Sequence, residues 1–314
     1  MNKEVSKRLT QRLNEAFVRS SKVCTKKRDQ RSIHQHNHPS LDPRVEHLPL
    51  LQSPLMVLGI IAVYLMFVLN YGPKWMEKRT PYNLKHIMRI YNAIQVMVNA
   101  YLFIFGLQNS YLRKEFSWTC QPLQPQNTEP WMQKLLMISY GYYLTKYLDL
   151  FDTFMSSIFI DTLFNIVNFL FFFFQFFFVL RKKNHQITFL HVYHHAGMIF
   201  ATYIFMKFLP GSHSTMLGII NLFVHVVMYS YYFITSLRPI KESRWWKRHI
   251  TQLQLLQFGY LIVHFVMTLI NNWCHHPVII AMVGVIQNLF MFVLFFDFYR
   301  KTYTTVFSSS LKAL

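Results

Sequence analysis

Long apolar stretches, separated by short polar or basic runs, organise most of this 314-residue chain. Seven stand out: Leu55–Tyr71, Ile87–Leu107, Met132–Phe151, Ile187–Phe208, Thr215–Thr235, Ile250–Ile270 and Pro277–Phe298. A helix rises 1.5 Å per residue, so roughly 20 apolar residues cross the hydrocarbon core of a bilayer. The pattern predicts seven transmembrane helices: an all-α polytopic membrane protein with no separate soluble domain. Residues 47–314 make the membrane domain. Residues 1–46 make a basic tail that is expected to be disordered and lacks the apolar core of a cleavable signal.

Composition agrees, at 53% hydrophobic and only 14% charged, which few soluble domains match. The formal net charge of +19 would suit nucleic acid, but its distribution points to a bilayer. Clusters at 74–89, 181–183, 238–248 and 300–312 hold sixteen Lys and Arg, whereas the intervening loops hold only Arg113 and Lys114. This is the positive-inside pattern; it predicts a cytosolic C-terminus and no nucleic-acid partner. An odd number of spans then puts the tail, with its eleven Lys and Arg, on the lumenal side. Either the tail is translocated despite its charge, or it is absent from the natural mature chain. Of the three cysteines, Cys120 and Cys274 fall in loops of the same, lumenal side. There they either pair as a disulfide or remain free thiols.

Ionisable side chains inside apolar spans are costly and mark functional sites. Four consecutive spans carry polar residues at helical spacing. The third holds Lys146, Asp149, Asp152 and Thr153, whose opposite charges can neutralise one another. The fourth holds His191, His194 and His195, at i, i+3 and i+4 and so on one face. The fifth places Asn221, His225, Tyr229 and Tyr232 on about one face, and the sixth carries Thr251, Gln254 and Gln257. Singly, each also reads as packing: a hydrogen-bonded histidine, amide glue between helices, or stacked rings. Together they predict a closed polar chamber within an apolar tunnel.

The ordered motifs carry a family resemblance. They are His191-Val192-Tyr193-His194-His195 after Arg181-Lys182-Lys183-Asn184, then Asn221-x-x-x-His225-x-x-Met228-Tyr229-x-Tyr231-Tyr232, then Thr251-x-x-Gln254-x-x-Gln257-Phe258. With Asp42-Pro43-Arg44-Val45, Gly72-Pro73-Lys74 and Trp245-Trp246-Lys247, they resemble the very-long-chain fatty acid elongases of the ELO family, particularly its arthropod members. The resemblance covers about Asp42 to Arg300. It implies residence in the endoplasmic reticulum membrane and a six-helix bundle, among the seven spans, enclosing a substrate tunnel. The C-terminus Ser310-Leu311-Lys312-Ala313-Leu314 has no dilysine retrieval signal, so that location rests on the resemblance.

Two departures stand out. The family usually reads Lys-x-x-Glu-x-x-Asp-Thr on the third helix, whereas the middle acid here is Asp149, shorter by one methylene. The family also runs almost directly from Asp-Thr into Phe-Phe-Val-Leu-Arg-Lys-Lys, which here resumes only at Phe177 and leaves 155–176 as extra. Those residues would make a helix of about 33 Å, yet a true extra span would reverse the downstream loops and scatter the basic clusters to both sides. An in-frame retained intron, AT-rich and ending in a pyrimidine tract and CAG, would translate this way. The other reading is a real insertion packed as a lengthened helix or re-entrant hairpin; the segment puts this particular chain's activity in question.

The resemblance implies a 3-ketoacyl-CoA synthase. It would condense long-chain acyl-CoA with malonyl-CoA, release CO2 and CoA, and need no metal or other cofactor. Neutral imidazole attacks thioesters and makes a good acyl donor, so His194 is the expected acyl-accepting nucleophile, with His191 and His195 orienting it or moving protons. His225 is expected to stabilise the oxyanion, with Asn221 fixing its tautomer. Substrate contacts are expected from Lys146, Asp149, Asp152, Tyr229, Tyr232, Thr251 and Gln254, while Arg181, Lys182 and Lys183 suit the CoA phosphates. Further partners would be the ketoacyl reductase, dehydratase and enoyl reductase of the elongation cycle. The rival is a di-iron desaturase or hydroxylase, but such enzymes need about eight histidines in several boxes, and His275-His276 falls on the wrong side to complete one. A transporter would call for repeat symmetry that the chain does not display.

Overall fold

The computed structural model describes residues 42–78, 85–150, 188–238 and 243–304. Helix α1 (Pro54–Met66) runs through a π-helical turn (Phe67–Tyr71) into the short α2 (Gly72–Glu77). Then come α3 (Lys85–Gln108), α4 (Pro130–Asp149), α5 (Phe189–Phe208), α6 (Thr215–Leu237), α7 (Ser243–Ile270) and α8 (Val278–Tyr299), with a π-helical turn (Arg300–Thr304) at the end. There is no strand among the described residues. Local chemistry sets several starts. Proline opens α1 and α4, where its fixed φ fits and its missing N–H is not needed. Thr188 caps α5, its hydroxyl accepting the His191 backbone N–H at 3.3 Å.

Segments Pro54–Trp75, Lys85–Gln108, Thr215–Leu237, Arg244–Ile270 and Val278–Tyr303 are long and apolar enough to cross a membrane. Their outward faces expose large apolar side chains such as Leu55, Met97, Leu256 and Ile279. The chain is a multi-pass membrane protein. Five of the seven expected crossings therefore stand on length and composition. Helices α4 and α5, which carry Lys146, Asp149 and the three histidines, are not among these five. The ends of those two expected spans, and 155–176, lie outside the described residues, as do Asp152, Arg181, Lys182 and Lys183.

Neighbouring helices pack in a circuit: α3 on α4, α4 on α5, α5 on α8, α8 on α7, α7 on α6, and α6 back on α3. Helix α1 packs on α5 from outside that circuit. At one end, a Cys120–Cys274 disulfide with Cα atoms 5.6 Å apart ties the α3–α4 loop to the α7–α8 loop. The short α5–α6 loop is tied in by the His213 N–H, which donates to the Gln121 carbonyl at 3.0 Å. Gly211 allows this loop its turn: φ is +68°, and a Cβ there would stand 2.8 Å from the Met132 sulfur. Described structure begins at Asp42, within the segment expected as tail, and Val45 and Leu51 are buried at this same end.

Candidate functional site

Three helices meet around one buried ion pair. Lys146 Nζ lies 2.7 Å from Asp149 Oδ2, one helical turn along α4, and both side chains are buried. The ammonium also donates to Asn221 Oδ1 on α6 at 3.0 Å. The same oxygen accepts the Tyr142 hydroxyl at 3.1 Å, and the Tyr142 ring lies under Lys146 with Nζ 4.7 Å from its centroid. Such a pair is tolerated away from water only when its remaining lone pairs and protons are met, as they are here. On α6, Asn221, His225 and Tyr229 repeat every four residues. Tyr229 donates to Asp149 Oδ1 at 3.2 Å, and His225 Nδ1 stands 3.7 Å from Asp149 Oδ2, beyond hydrogen-bond reach.

The histidine box begins α5. The His191 and His195 rings are 4.3 Å apart, and His194 contacts His195 and Phe295 edge-on, at 5.7 and 6.3 Å. His194, His195 and His225 all lie within electrostatic range of Lys146, and His225 of both His194 and His195. The box, His225 and the α4 ion pair thus share one locality.

Other expected residues are placed differently. Asn221 gives its carbonyl to Lys146 and Tyr142, so the polar group near the His225 Nδ1 is Asp149, not Asn221. Thr251 is buried but turns back on its own helix, donating to the Lys247 carbonyl at 3.0 Å. Gln254 reaches the Met228 sulfur at 3.8 Å. Tyr232 is 41% exposed and meets Tyr229 edge-on at the rim. Among the described residues, no group of three His, Cys, Asp or Glu side chains is arranged to hold a metal ion.

A whole face was missed. Tyr91, Gln95 and Asn99 on α3, again four residues apart, complete the polar lining. Gln95 Nε2 donates to Asp149 Oδ1 at 3.0 Å. Their spacing was visible in the sequence, but nothing there marked Asp149 as their partner. Tyr142 was missed too; it stands between the charged centre and a small, half-open cavity with a mainly apolar lining. Leu135, Met206, Leu209, Gly218 and Leu222 line that cavity with it. A Cβ on Gly218 would stand 3.2 Å from the Tyr142 ring.

Residues 49–309 match the model of the ELO: GNS1/SUR4 family. A very long chain fatty acid elongase of Aedes aegypti is 34% identical over 274 residues, 87% of this chain and 70% of that protein. Human very long chain fatty acid elongase 4 is 35% identical over 268 residues, 83% of this chain and 76% of its own length. Mouse very long chain fatty acid elongase 1 is 32% identical over 266 residues, covering 84% and 86%.

Proposed function

This chain belongs to the GNS1/SUR4 (ELO) family and is an enzyme of fatty acid elongation, and we propose on that premise that it is a 3-ketoacyl-CoA synthase. It joins a long-chain acyl group from CoA to the two-carbon unit of malonyl-CoA. The observation that carries the proposal is the shared locality of His194, His195, His225 and the Lys146–Asp149 pair. A nucleophile, candidate proton carriers and a fixed cation stand there together, one side chain from an apolar cavity.

His194 attacks the acyl-CoA thioester, and CoA leaves as its thiol while an acyl-imidazole forms. Malonyl-CoA then loses CO2, its enolate attacks the acyl-imidazole carbonyl, and His194 leaves as the 3-ketoacyl-CoA departs, the imidazole taking from solvent a proton to replace the one carried off by the CoA thiol. Lys146, held between Asp149 and Asn221, supplies positive charge to the malonyl carboxylate and the enolate, and His225 serves the tetrahedral oxyanion. The six-helix circuit encloses the tunnel, and the cavity past Tyr142 takes the tail of the acyl chain. In the reticulum membrane the disulfide end faces the lumen and the basic end, with the C-terminus, faces the cytosol. No metal or resident cofactor takes part. The di-iron alternative is not favoured, because the similarity found is to elongases.

Incubating purified protein with acyl-CoA alone, then digesting it for mass spectrometry, is expected to yield an acyl group on the peptide holding His194. His194→Ala is expected to lose that adduct and malonyl-dependent extension together. Extension that survives with no adduct at any time would sink the covalent route. The same assay on protein lacking 155–176 establishes which form of the chain is active.

A further inference from the structure

Asp149 is held from a direction that the catalytic scheme above does not use. Gln95, on α3, is 1% exposed, and its amide has one workable orientation. Asn99 Nδ2 donates to Gln95 Oε1 at 3.2 Å and to the Gln95 backbone carbonyl at 2.7 Å. That turns Gln95 Nε2 toward three acceptors, the Tyr91 hydroxyl oxygen at 2.6 Å, Asp149 Oδ1 at 3.0 Å and the Tyr229 hydroxyl oxygen at 3.3 Å. Tyr91 sends its own proton to the Leu148 carbonyl at 3.1 Å, and its oxygen accepts from Gln95. Every donor in this chain of contacts has an acceptor.

The two carboxylate oxygens of Asp149 thereby divide. Oδ1 is held by neutral donors, Gln95 from α3 and Tyr229 from α6. Oδ2 is left to Lys146 at 2.7 Å, with His225 Nδ1 at 3.7 Å. An aspartate has only two side-chain torsions, so pinning one oxygen fixes the other. An amide does this without adding charge to a chamber where an unpaired charge is costly.

We propose that Gln95 is a positioning residue: its Nε2–H holds Asp149 Oδ1 so that Oδ2 keeps Lys146 and His225 in register. The α3 face thus reaches in to a carboxylate one methylene shorter than a glutamate at the same position. The inference rests on the condensing reading.

The test is malonyl-dependent extension by the purified full chain, with kcat and KM measured for Gln95→Met, Asp149→Asn and the double variant. Gln95→Met keeps the side-chain length and removes the donor. It is expected to lower kcat about tenfold, with KM for acyl-CoA and malonyl-CoA changing by less than about twofold. The double variant is expected to be no slower than Asp149→Asn alone, because Gln95 acts only through that carboxylate. An unchanged kcat in Gln95→Met, a loss carried by KM, or losses that multiply in the double variant would each overturn the proposal. Tyr91→Phe, which preserves the shape of the core, gives a second handle if Gln95→Met does not fold: a lowered kcat at constant KM supports the α3 arm, and wild-type kinetics count against it. Wild-type chain that yields no malonyl-dependent extension, with or without 155–176, would instead overturn the condensing reading, a result distinct from either outcome at Gln95.

Discussion

Lys146 and Asp149 show why a residue's worth depends on what its loss leaves behind. Their side chains are 2% and 3% exposed, so neither charge is stabilised by water. Lys146→Met would leave the carboxylate with its neutral donors but no cation, and a buried charge stripped of its partner typically costs about 3–5 kcal/mol. The variant is expected to show a clearly lower thermal unfolding midpoint in detergent. Replacing the pair, Lys146→Met with Asp149→Leu, is expected to recover most of that loss, since both desolvation costs go together. If the double variant unfolds no later than the single one, lost packing around the lysine stem is the cause and the charge argument fails. Activity is expected to be lost in both, which separates the stability of this centre from its chemistry.

At the scale of whole helices, spacing identified faces well and depth poorly. Asn221, His225 and Tyr229 recur every four residues, and the structure gathers all three around the Lys146–Asp149 pair. Tyr232 continues the same face, yet it lies near the end of α6, where packing thins, and is 41% exposed. Periodicity says which way a side chain points, whereas its burial depends on neighbours from other helices. Thr251 illustrates another blind spot, since back-bonding to its own helix carries no signature in spacing. The α3 amides had the right period, but an amide reads equally as glue until its partner is seen. The cavity was not legible at all, because it is made jointly by α4, α5 and α6 with the α5–α6 loop. Gly218 tests its role. Gly218→Leu would press on the Tyr142 ring and fill the space beyond it. Each buried methylene is worth about 0.8 kcal/mol, so excluding two substrate carbons costs roughly tenfold in preference. Product profiling by gas chromatography is expected to show products at least one elongation step shorter. An unchanged profile would place the acyl tail elsewhere.

Across the whole molecule the two ends are built on different chemistry. The basic end gathers cations such as Arg89, whose guanidinium donates to the Ser236 carbonyl near the end of α6, a favourable place for positive charge. The disulfide end instead gathers imidazoles. His213 and His264 stack with ring centroids 3.7 Å apart, His276 meets His213 at 5.8 Å, and Thr268 Oγ1 lies 2.6 Å from His213 Nε2. In the loops outside the helices, burial, reinforced by the neighbouring histidines, pushes His213 down to about 3 and His276 down to about 4. An unfolded histidine titrates near 6.5, so between that value and about 4 the unfolded chain binds protons that the folded chain refuses. Stability contributed here is complete above pH 6.5 and is lost as pH falls toward 4. Thermal unfolding of the detergent-solubilised protein is expected to be flat from pH 8 to 7 and to drop progressively below 6.5. Carboxylates add their own acid dependence, so the discriminating comparison is His276→Gln, which keeps a polar side chain but does not titrate. Its unfolding midpoint is expected to fall less steeply over the same range, with the Cys120–Cys274 bond intact in both proteins. Identical slopes would show that this histidine cluster does not govern the acid sensitivity of the fold.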